Sequence, residues 1–316
     1  MKTVSVVMCT YNGAKYLREQ LDSILNQTYP IYELIVQDDC STDETVDIVK
    51  EYFLKYDFIK IHQNTQQKGI TQNFISAIHL AKGEYIAISD QDDIWDLEKI
   101  EKQIKCIDNN LLCFSLSSPF TNENIPLNID RRVPNYGLER LIFYPVIPGH
   151  AMLFKKELVN LLPEEKNWSY DAQLAIAANI YGGKLSVCKE FMTKHRRHIK
   201  AASYVKPDNN RRTINNIISY MWTSIIQYRN NYPNMQRYMN AVHQYMEKYP
   251  IRPDNLKTAL QLSKLLGTNS FFAQVKASLL CIKLRNKIFY ASEKSTCIAI
   301  IRAALWPILC CKYYKK

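Results

Sequence analysis

A chain of 316 residues with 47% hydrophobic content can bury one large core or two smaller ones. Nine cysteines, odd in number and with no CxxC, argue against a disulfide framework or a zinc site and fit a reducing compartment. The net charge of +11 is uneven: residues 205–316 hold 18 Lys and Arg against 4 Asp and Glu, a net of +14, and residues 1–204 carry −3. That asymmetry points the back of the chain at an anionic surface.

The opening MKTVSVVMCTYNG has one early lysine and a short apolar run, too short for a signal peptide, so cytoplasm is the expected compartment. Val4 to Met8 reads as a buried strand. The turn TYNG follows, and Tyr16, Leu17, Leu21, Ile24 and Leu25 then recur at helical spacing until Thr28-Tyr29-Pro30 ends the helix. ELIVQDD, Glu33 to Asp39, is a second strand running into acids. Ser41 or Thr42 stands as cap to a helix with Val46, Ile48, Val49, Tyr52 and Phe53 on its apolar face. FIKIHQN gives a third strand, a helix runs from Thr71 to Ala81, and GEYIAIS gives a fourth strand.

This β-α-β-α-β-α-β alternation predicts an α/β fold, a Rossmann-like and mostly parallel sheet with helices on both faces. Right-handed crossovers place the strand C-termini on one rim, where ligands bind, so Asp38-Asp39 and the acids of IAISDQDDIW are expected to share a crevice. Residues 111–204 are less regular. Ala151 to Leu158 reads as strand into helix, Tyr170 to Tyr181 as a helix stopped by Gly182-Gly183, and KLSVC as a strand. Beyond Pro207 the pattern is helical. The expected division is a catalytic domain over 1–204, in halves 1–110 and 111–204, and a basic helical region over 205–316.

Asp90, Asp92 and Asp93 fall within four positions. Clustered carboxylates cannot all be buried and ionised unless a cation compensates them. Aspartate oxygens suit Mg²⁺ or Mn²⁺, and Mg²⁺ takes its remaining ligands from phosphates, so Asp-x-Asp at a strand end suggests a bridge to a diphosphate. The alternative is that these acids cap a helix starting near Ile94, with Asp93 at its N-terminus.

The run VSVVMCTYNGAKYLREQLDSILNQTYPIYELIVQDDCSTDET, followed by KGEYIAISDQDDIW, resembles the family 2 glycosyltransferases. These are nucleotide-sugar-dependent enzymes of the GT-A fold, and the chain resembles their bacterial surface-polysaccharide and rhamnosyltransferase-like members. The likeness continues more weakly through PGHAMLFKKEL, SYDAQLAIAANIYGG and KHRRH, which are similar to the acceptor-side segment, the helix opening with the catalytic acid and the closing YRxH. The resemblance implies that Thr10, Tyr11 and Asn12 border the nucleotide, with Asp90, and that Asp39 accepts a hydrogen bond from a pyrimidine base. It implies Asp92 and His198 as metal ligands for Mn²⁺ or Mg²⁺, Asp93 and Arg196 beside the donor sugar and diphosphate, and Asp171 as general base. Three departures stand out. Cys40 occupies a position where relatives usually carry Gly or Asn, Ala172-Gln173 replace aromatics, and His195 replaces a tyrosine.

The implied function is inverting transfer of a sugar from a nucleotide-diphosphate donor, UDP- or dTDP-linked, to a hydroxyl of a glycan or lipid-linked glycan in surface polysaccharide synthesis. A sugar-nucleotide hydrolase or a nucleotidyltransferase using the same crevice is the alternative, although CTYNGAKY lacks the Gly-rich basic loop of nucleotidyltransferases. No motif supports a nucleic-acid partner. In the tail, residues 271–290 mix an apolar face with Lys276, Lys283, Arg285 and Lys287. The apolar run from Cys297 to Cys311, broken by Arg302 and Pro307, is too short to span a bilayer and suits a helix in the membrane interface. A peripheral protein on the inner face of the cell membrane is expected. The competing reading is a helical domain packed on the core or on another subunit.

Overall fold

The computed structural model describes residues 1–125, 127, 136–144, 147–164, 168–201, 214–251, 254–289 and 296–314. The chain forms two units, Met1–Ile129 with Val146–Val205, and Asp130–Pro145 with Lys206–Lys316. The expected domain boundary at 204/205 lies outside the described residues.

In chain order the elements are β1 (Val4–Thr10), α1 (Ala14–Leu25), β2 (Glu33–Asp38), α2 (Thr45–Phe53), β3 (Ile59–Gln63), α3 (Ile70–Leu80), β4 (Tyr85–Ser89), β5 (Ile94–Trp95), α4 (Lys99–Ile107) and β6 (Leu112–Phe120). They continue with α5 (Leu138–Leu141), β7 (Met152–Lys155), α6 (Tyr170–Gly182), β8 (Ser186–Arg196), α7 (Ile214–Glu247), α8 (Asp254–Gly267), α9 (Phe271–Lys283), α10 (Arg285–Ile288) and α11 (Thr296–Leu309).

The first unit is built on one sheet of order β3-β2-β1-β4-β7-β6-β8-β5. Its first four strands are parallel, as the alternation requires. β7 runs antiparallel to β4 and β6, and β5 antiparallel to β8, so the whole is mixed. Every residue of β1 and β2 is buried, the signature of a sheet covered on both faces. Leu17, Leu21 and Ile24 of α1 pack into the core with Val4, Val6, Met8, Leu34 and Val36. Each such side chain stabilises the fold by about 1.5–3 kcal/mol. The register sets Thr10 beside Asp38 and Met8 beside Ser89, which brings the C-termini of β1, β2 and β4 to one edge.

Two local expectations fail. Helix α2 starts at Thr45, and neither Ser41 nor Thr42 caps it. Ser41 Oγ donates instead to Asp38 (2.5 Å), and the Thr42 amide donates to Asn12 Oδ1 (2.8 Å). Nor does Asp93 cap a helix. Ile94-Trp95 is a strand, paired Ile94↔Lys194 and Trp95↔Thr193, and the next helix begins only at Lys99. The Asp93 carboxylate accepts from the backbone of the facing strand rather than from its own chain ahead. Trp95 is a core residue, as a packing role requires.

The second unit is helical. Met235, Met239 and Met246 of α7, Leu256, Leu262 and Leu266 of α8, Ala277 and Cys281 of α9, and Ala303 and Trp306 of α11 fill its interior. The apolar run of the tail forms α11, with Pro307 inside its last turn. No helix of the described residues is long and apolar enough to cross a membrane.

Candidate active site

A cavity of about 700 Å³ opens at the edge where β1, β2 and β4 end. Thr10, Tyr11, Asp39, Asp90, Asp92, Arg196 and His198 all line it, so the two acid clusters share one crevice. Asn12, Asp93 and Asp171 do not line it.

Three loops are tied together around the opening. Thr10 Oγ1 donates to Asp38 Oδ1 (2.8 Å). Asn12, at a positive φ of 47°, donates its amide to Ser41 Oγ (2.9 Å) and accepts from Thr42 through Oδ1, so its side chain serves the loop after β2. Gln91 accepts from the Tyr11 amide (2.9 Å) and donates back to the Tyr11 carbonyl (3.0 Å). A Cβ on Gly13 would sit 2.1 Å from Gln91 Oε1, so that clasp needs glycine there.

Asp38 and Asp39 divide their work. Asp38 is occupied by Thr10 and by the Ser41 amide and hydroxyl. Asp39 Oδ1 accepts from Asn64 Nδ2 (2.7 Å) and the Lys68 amide (2.8 Å), and Oδ2 from the Gly69 amide (2.8 Å). A carboxylate oxygen has two lone pairs, so Oδ2 keeps one for a ligand. Cys40, next in the chain, holds φ at 64°, a left-handed conformation that explains why Gly or Asn suits this position.

The β5–β8 pairing carries the KHRRH segment to the aspartates. His198 Nε2 lies 2.8 Å from Asp92 Oδ2. The buried Arg196 guanidinium lies between the rings of Tyr16 and Phe120, donates through Nε to the Asp92 carbonyl (2.8 Å) and pairs with Glu19. Its Nη1 has no partner among the described residues.

Asp93 is fully buried. Its Oδ1 accepts from the Arg196 amide (2.9 Å) and faces His195 Nδ1 (3.1 Å), while Oδ2 has no hydrogen-bond partner among the described residues. His150 Nδ1 stands 3.7 Å from Asp93 and 3.6 Å from Asp90, and its Nε2 is 2.8 Å from Ser117 Oγ. The His150 and His195 rings stack at 4.4 Å with 8° between their planes.

Burial pushes the Asp92 carboxyl above the usual range, and the charges of Asp90 and Asp93 add to it; His198 works the other way and does not cancel them. Burial would also raise Asp93, but His150 and His195 outweigh it and hold its carboxyl low. For His150 burial acts downward, and Asp93 and Asp90 prevail and raise it. The inner Asp93 is thus compensated by imidazoles, and the outer Asp92 is short of positive charge.

Among the described residues, two groups of donor atoms bear on metal binding. One is Asp93, His150 and His195, whose ligand atoms lie within 4.8 Å of one another. An imidazole nitrogen binds an ion in the plane of its own ring at about 2.1 Å, and two rings stacked nearly parallel cannot both do so. That set is better suited to sharing protons. Asp92 with His198 lies at the cavity, a carboxylate and an imidazole whose donor atoms could hold a divalent cation.

Asp171 is the second residue of α6, and its Oδ1 accepts from the Ala172 amide (2.8 Å). Burial raises its pKa and Asp90 adds to the shift. Its neighbour Tyr170 lines the cavity, stacked on Phe74 at 4.2 Å. A Cβ on Gly149 would lie 1.9 Å from the Tyr170 hydroxyl, so the glycine of PGHAM seats that ring. Sequence reasoning missed His150, Gln91 and the Lys68 and Gly69 amides. The only signal for His150 was its place in PGHAM, since its partners lie far away in the chain.

Residues 5–160 match the Glycosyl transferase family 2 profile. The uncharacterized glycosyltransferase MJ1057 of Methanocaldococcus jannaschii is 32% identical over 206 residues, 61% of this chain and 70% of that protein. The UDP-Glc:alpha-D-GlcNAc-diphosphoundecaprenol beta-1,3-glucosyltransferase WfaP of Escherichia coli is 35% identical over 124 residues, 39% of this chain; the match spans 49% of that relative, about half its length. Among solved structures, S. aureus TarS 1-349 in complex with UDP-GlcNAc aligns with a TM-score of 0.60 at 18% identity, over 90% of this chain and 81% of that one, a likeness of GT-A fold. With its α/β sheet, its acid-lined cavity and these relatives, the chain belongs to glycosyl transferase family 2.

Proposed function

We propose that this glycosyltransferase moves a sugar, with inversion, from a UDP- or dTDP-linked donor to a hydroxyl of a glycan or lipid-linked glycan in bacterial surface polysaccharide synthesis. The observation that carries the reading is the gathering of Asp39, Asp90, Asp92 and His198 around one cavity at the strand ends. UDP-GlcNAc in TarS and the UDP-Glc donor and lipid-diphosphate acceptor of WfaP support the donor and acceptor classes.

Tyr11 and Thr10 border the base, and the remaining lone pair of Asp39 Oδ2 accepts the N3–H of uracil or thymine. Asp92 and His198 would hold Mn²⁺ or Mg²⁺, which would supply Lewis-acid stabilisation of the diphosphate leaving group. Arg196, with Nη1 unpaired among the described residues, supplies a further cation beside the phosphates. Asp93 keeps His195 and Arg196 in place from below. Asp171 takes the proton of the acceptor hydroxyl, and its raised pKa makes it a stronger base than an ordinary aspartate. Attack on the face opposite the diphosphate inverts the sugar carbon in one displacement. The basic helical region holds the protein at the inner face of the cell membrane, where a lipid-linked acceptor is met.

The test is calorimetric titration with UDP, dTDP, GDP and CDP, with and without Mn²⁺, on wild type and Asp92→Ala. Metal-dependent binding of UDP or dTDP that vanishes in Asp92→Ala supports the reading. A folded protein that binds no nucleotide overturns it; in a separate incubation with a UDP- or dTDP-sugar and no acceptor, free sugar as the main product would make the enzyme a hydrolase.

A further inference from the structure

In the second unit, α9 buries Ala273, Ala277 and Cys281, one residue per turn, against its neighbours. Its other side carries Phe271 (77% exposed), Phe272 (75%) and Leu279 (62%). Helix α11 packs beside α9 and turns inward Ala299, Ala303 and Trp306, leaving Ile298 (64% exposed) and Ile301 (60%) outward. Single apolar residues scattered over a surface need no explanation, but large aromatic and aliphatic side chains concentrated on two adjacent helices do. Neither helix contains an Asp or Glu, and Lys276 and Lys283 are exposed on α9 among the apolar positions.

We propose that the outward faces of α9 and α11 form a docking surface for an anionic lipid bilayer, with the two helices lying in the interface and the lysines reaching the headgroups. The proposal deepens the membrane reading given above and rests on it, while standing apart from the donor chemistry. Charge selects the occupant. Residues 205–316 carry a net +14, so a second copy of this face would bring like charge to like charge, whereas an anionic leaflet attracts it. A polynucleotide would answer the charge and leave Phe272 and Ile301 in water. An amphipathic helix with lysines beside bulky apolar groups satisfies both demands at a lipid surface.

The experiment is vesicle flotation of the full chain with phosphatidylglycerol-containing and pure phosphatidylcholine vesicles, on wild type and on Phe272→Gln/Ile301→Gln, with UDP affinity measured on the same samples. Both residues are exposed, and thermal melts of the two proteins check the fold. Wild type is expected to float with the anionic vesicles, roughly tenfold less with the neutral ones, and the double variant roughly tenfold less with either. No flotation of wild type at low salt, or equal flotation of the variant, overturns the proposal. A wild-type dimer that becomes monomeric in the variant, by sedimentation, assigns the face to a second copy and overturns it too. Wild type that binds UDP and does not float sinks the docking surface alone, and wild type that floats without binding UDP sinks the donor reading alone.

Discussion

His198 Nε2 lies 2.8 Å from Asp92 Oδ2, two side chains 106 residues apart in the chain. The two-residue strand β5 makes the meeting possible, because it pairs the chain just after the aspartates with Thr193 and Lys194 of β8, and β8 ends at Arg196, close before His198. Asp92 is nonetheless raised above the usual carboxylate range by burial and by Asp90 and Asp93, so its ionised form costs stability in the absence of a cation. Asp92→Asn is therefore expected to raise the Tm of the metal-free protein at pH 7, and the gain to shrink at acid pH, where the native carboxyl is already protonated. The same variant loses Mn²⁺-dependent UDP binding by at least about tenfold, a trade of function for stability. A fall in Tm at pH 7 would contradict the electrostatic picture.

The second expectation is non-additivity. If Asp92 and His198 act on one ion, His198→Ala weakens metal-dependent UDP binding, and adding it to Asp92→Ala costs little more. Calorimetry on the two single variants and the double variant measures this. Fully additive losses would mean that the two residues serve separate ligands.

Asp171 is raised by burial first and by Asp90 second. A base must be ionised to work, so activity falls as pH drops through the raised pKa, and the acid limb of kcat/KM lies above the ordinary aspartate value of about 3.9. Asp171→Asn is expected to lower kcat by about 10²–10⁴-fold with UDP affinity unchanged. A variant that keeps its kcat, or loses nucleotide binding with it, removes Asp171 from the base's role.

The fold was legible because its signals are local. The strands and helices of the first hundred residues each carry their own period, and crossover handedness then places Asp39, Asp90 and Asp92 at one edge. Partner choice was not legible. Whether Asp93 caps the next helix or is held by a distant strand depends on the β5–β8 pairing, which two residues of sequence do not announce. Asn12 faces its neighbouring loop because Ser41 and Thr42 compete for it, and His150 gains meaning only beside Asp93 and His195.

Cys40 holds φ at 64° while its Sγ donates to the Asn64 carbonyl (3.2 Å). A left-handed conformation costs an L-residue about 1–2 kcal/mol, part of which glycine returns as entropy lost on folding. Cys40→Gly is expected to gain up to about 1 kcal/mol in urea unfolding. Cys40→Val, β-branched at positive φ, should lose more than that. The order Gly above Cys above Val is the test, and a valine variant as stable as wild type would show that the loop relaxes freely.

Lys99 is fully buried, with Nζ donating to Gln103 Oε1 (3.2 Å) and resting 4.2 Å from the centre of the Trp95 ring. Burial pushes its pKa down to about 7, against the pull of Asp93 and the ring face, which favour the charged form. Unfolded, the ammonium holds its proton up to about pH 10.4. Between those values the unfolded chain binds more protons than the native one, so the Lys99 contribution to stability rises with pH; the penalty for burying the ammonium is full below pH 7 and gone above pH 10.4. Lys99→Met removes it. The substitution also leaves Gln103 Oε1 without this donor, a loss that is the same at every pH, so the readout is the change with pH. Relative to wild type, Lys99→Met should be about 3 kcal/mol more favourable at pH 6 than at pH 9.5 by chemical denaturation. An equal difference at the two pH values would mean that Lys99 stays protonated in the fold, held by Trp95, Gln103 and Asp93.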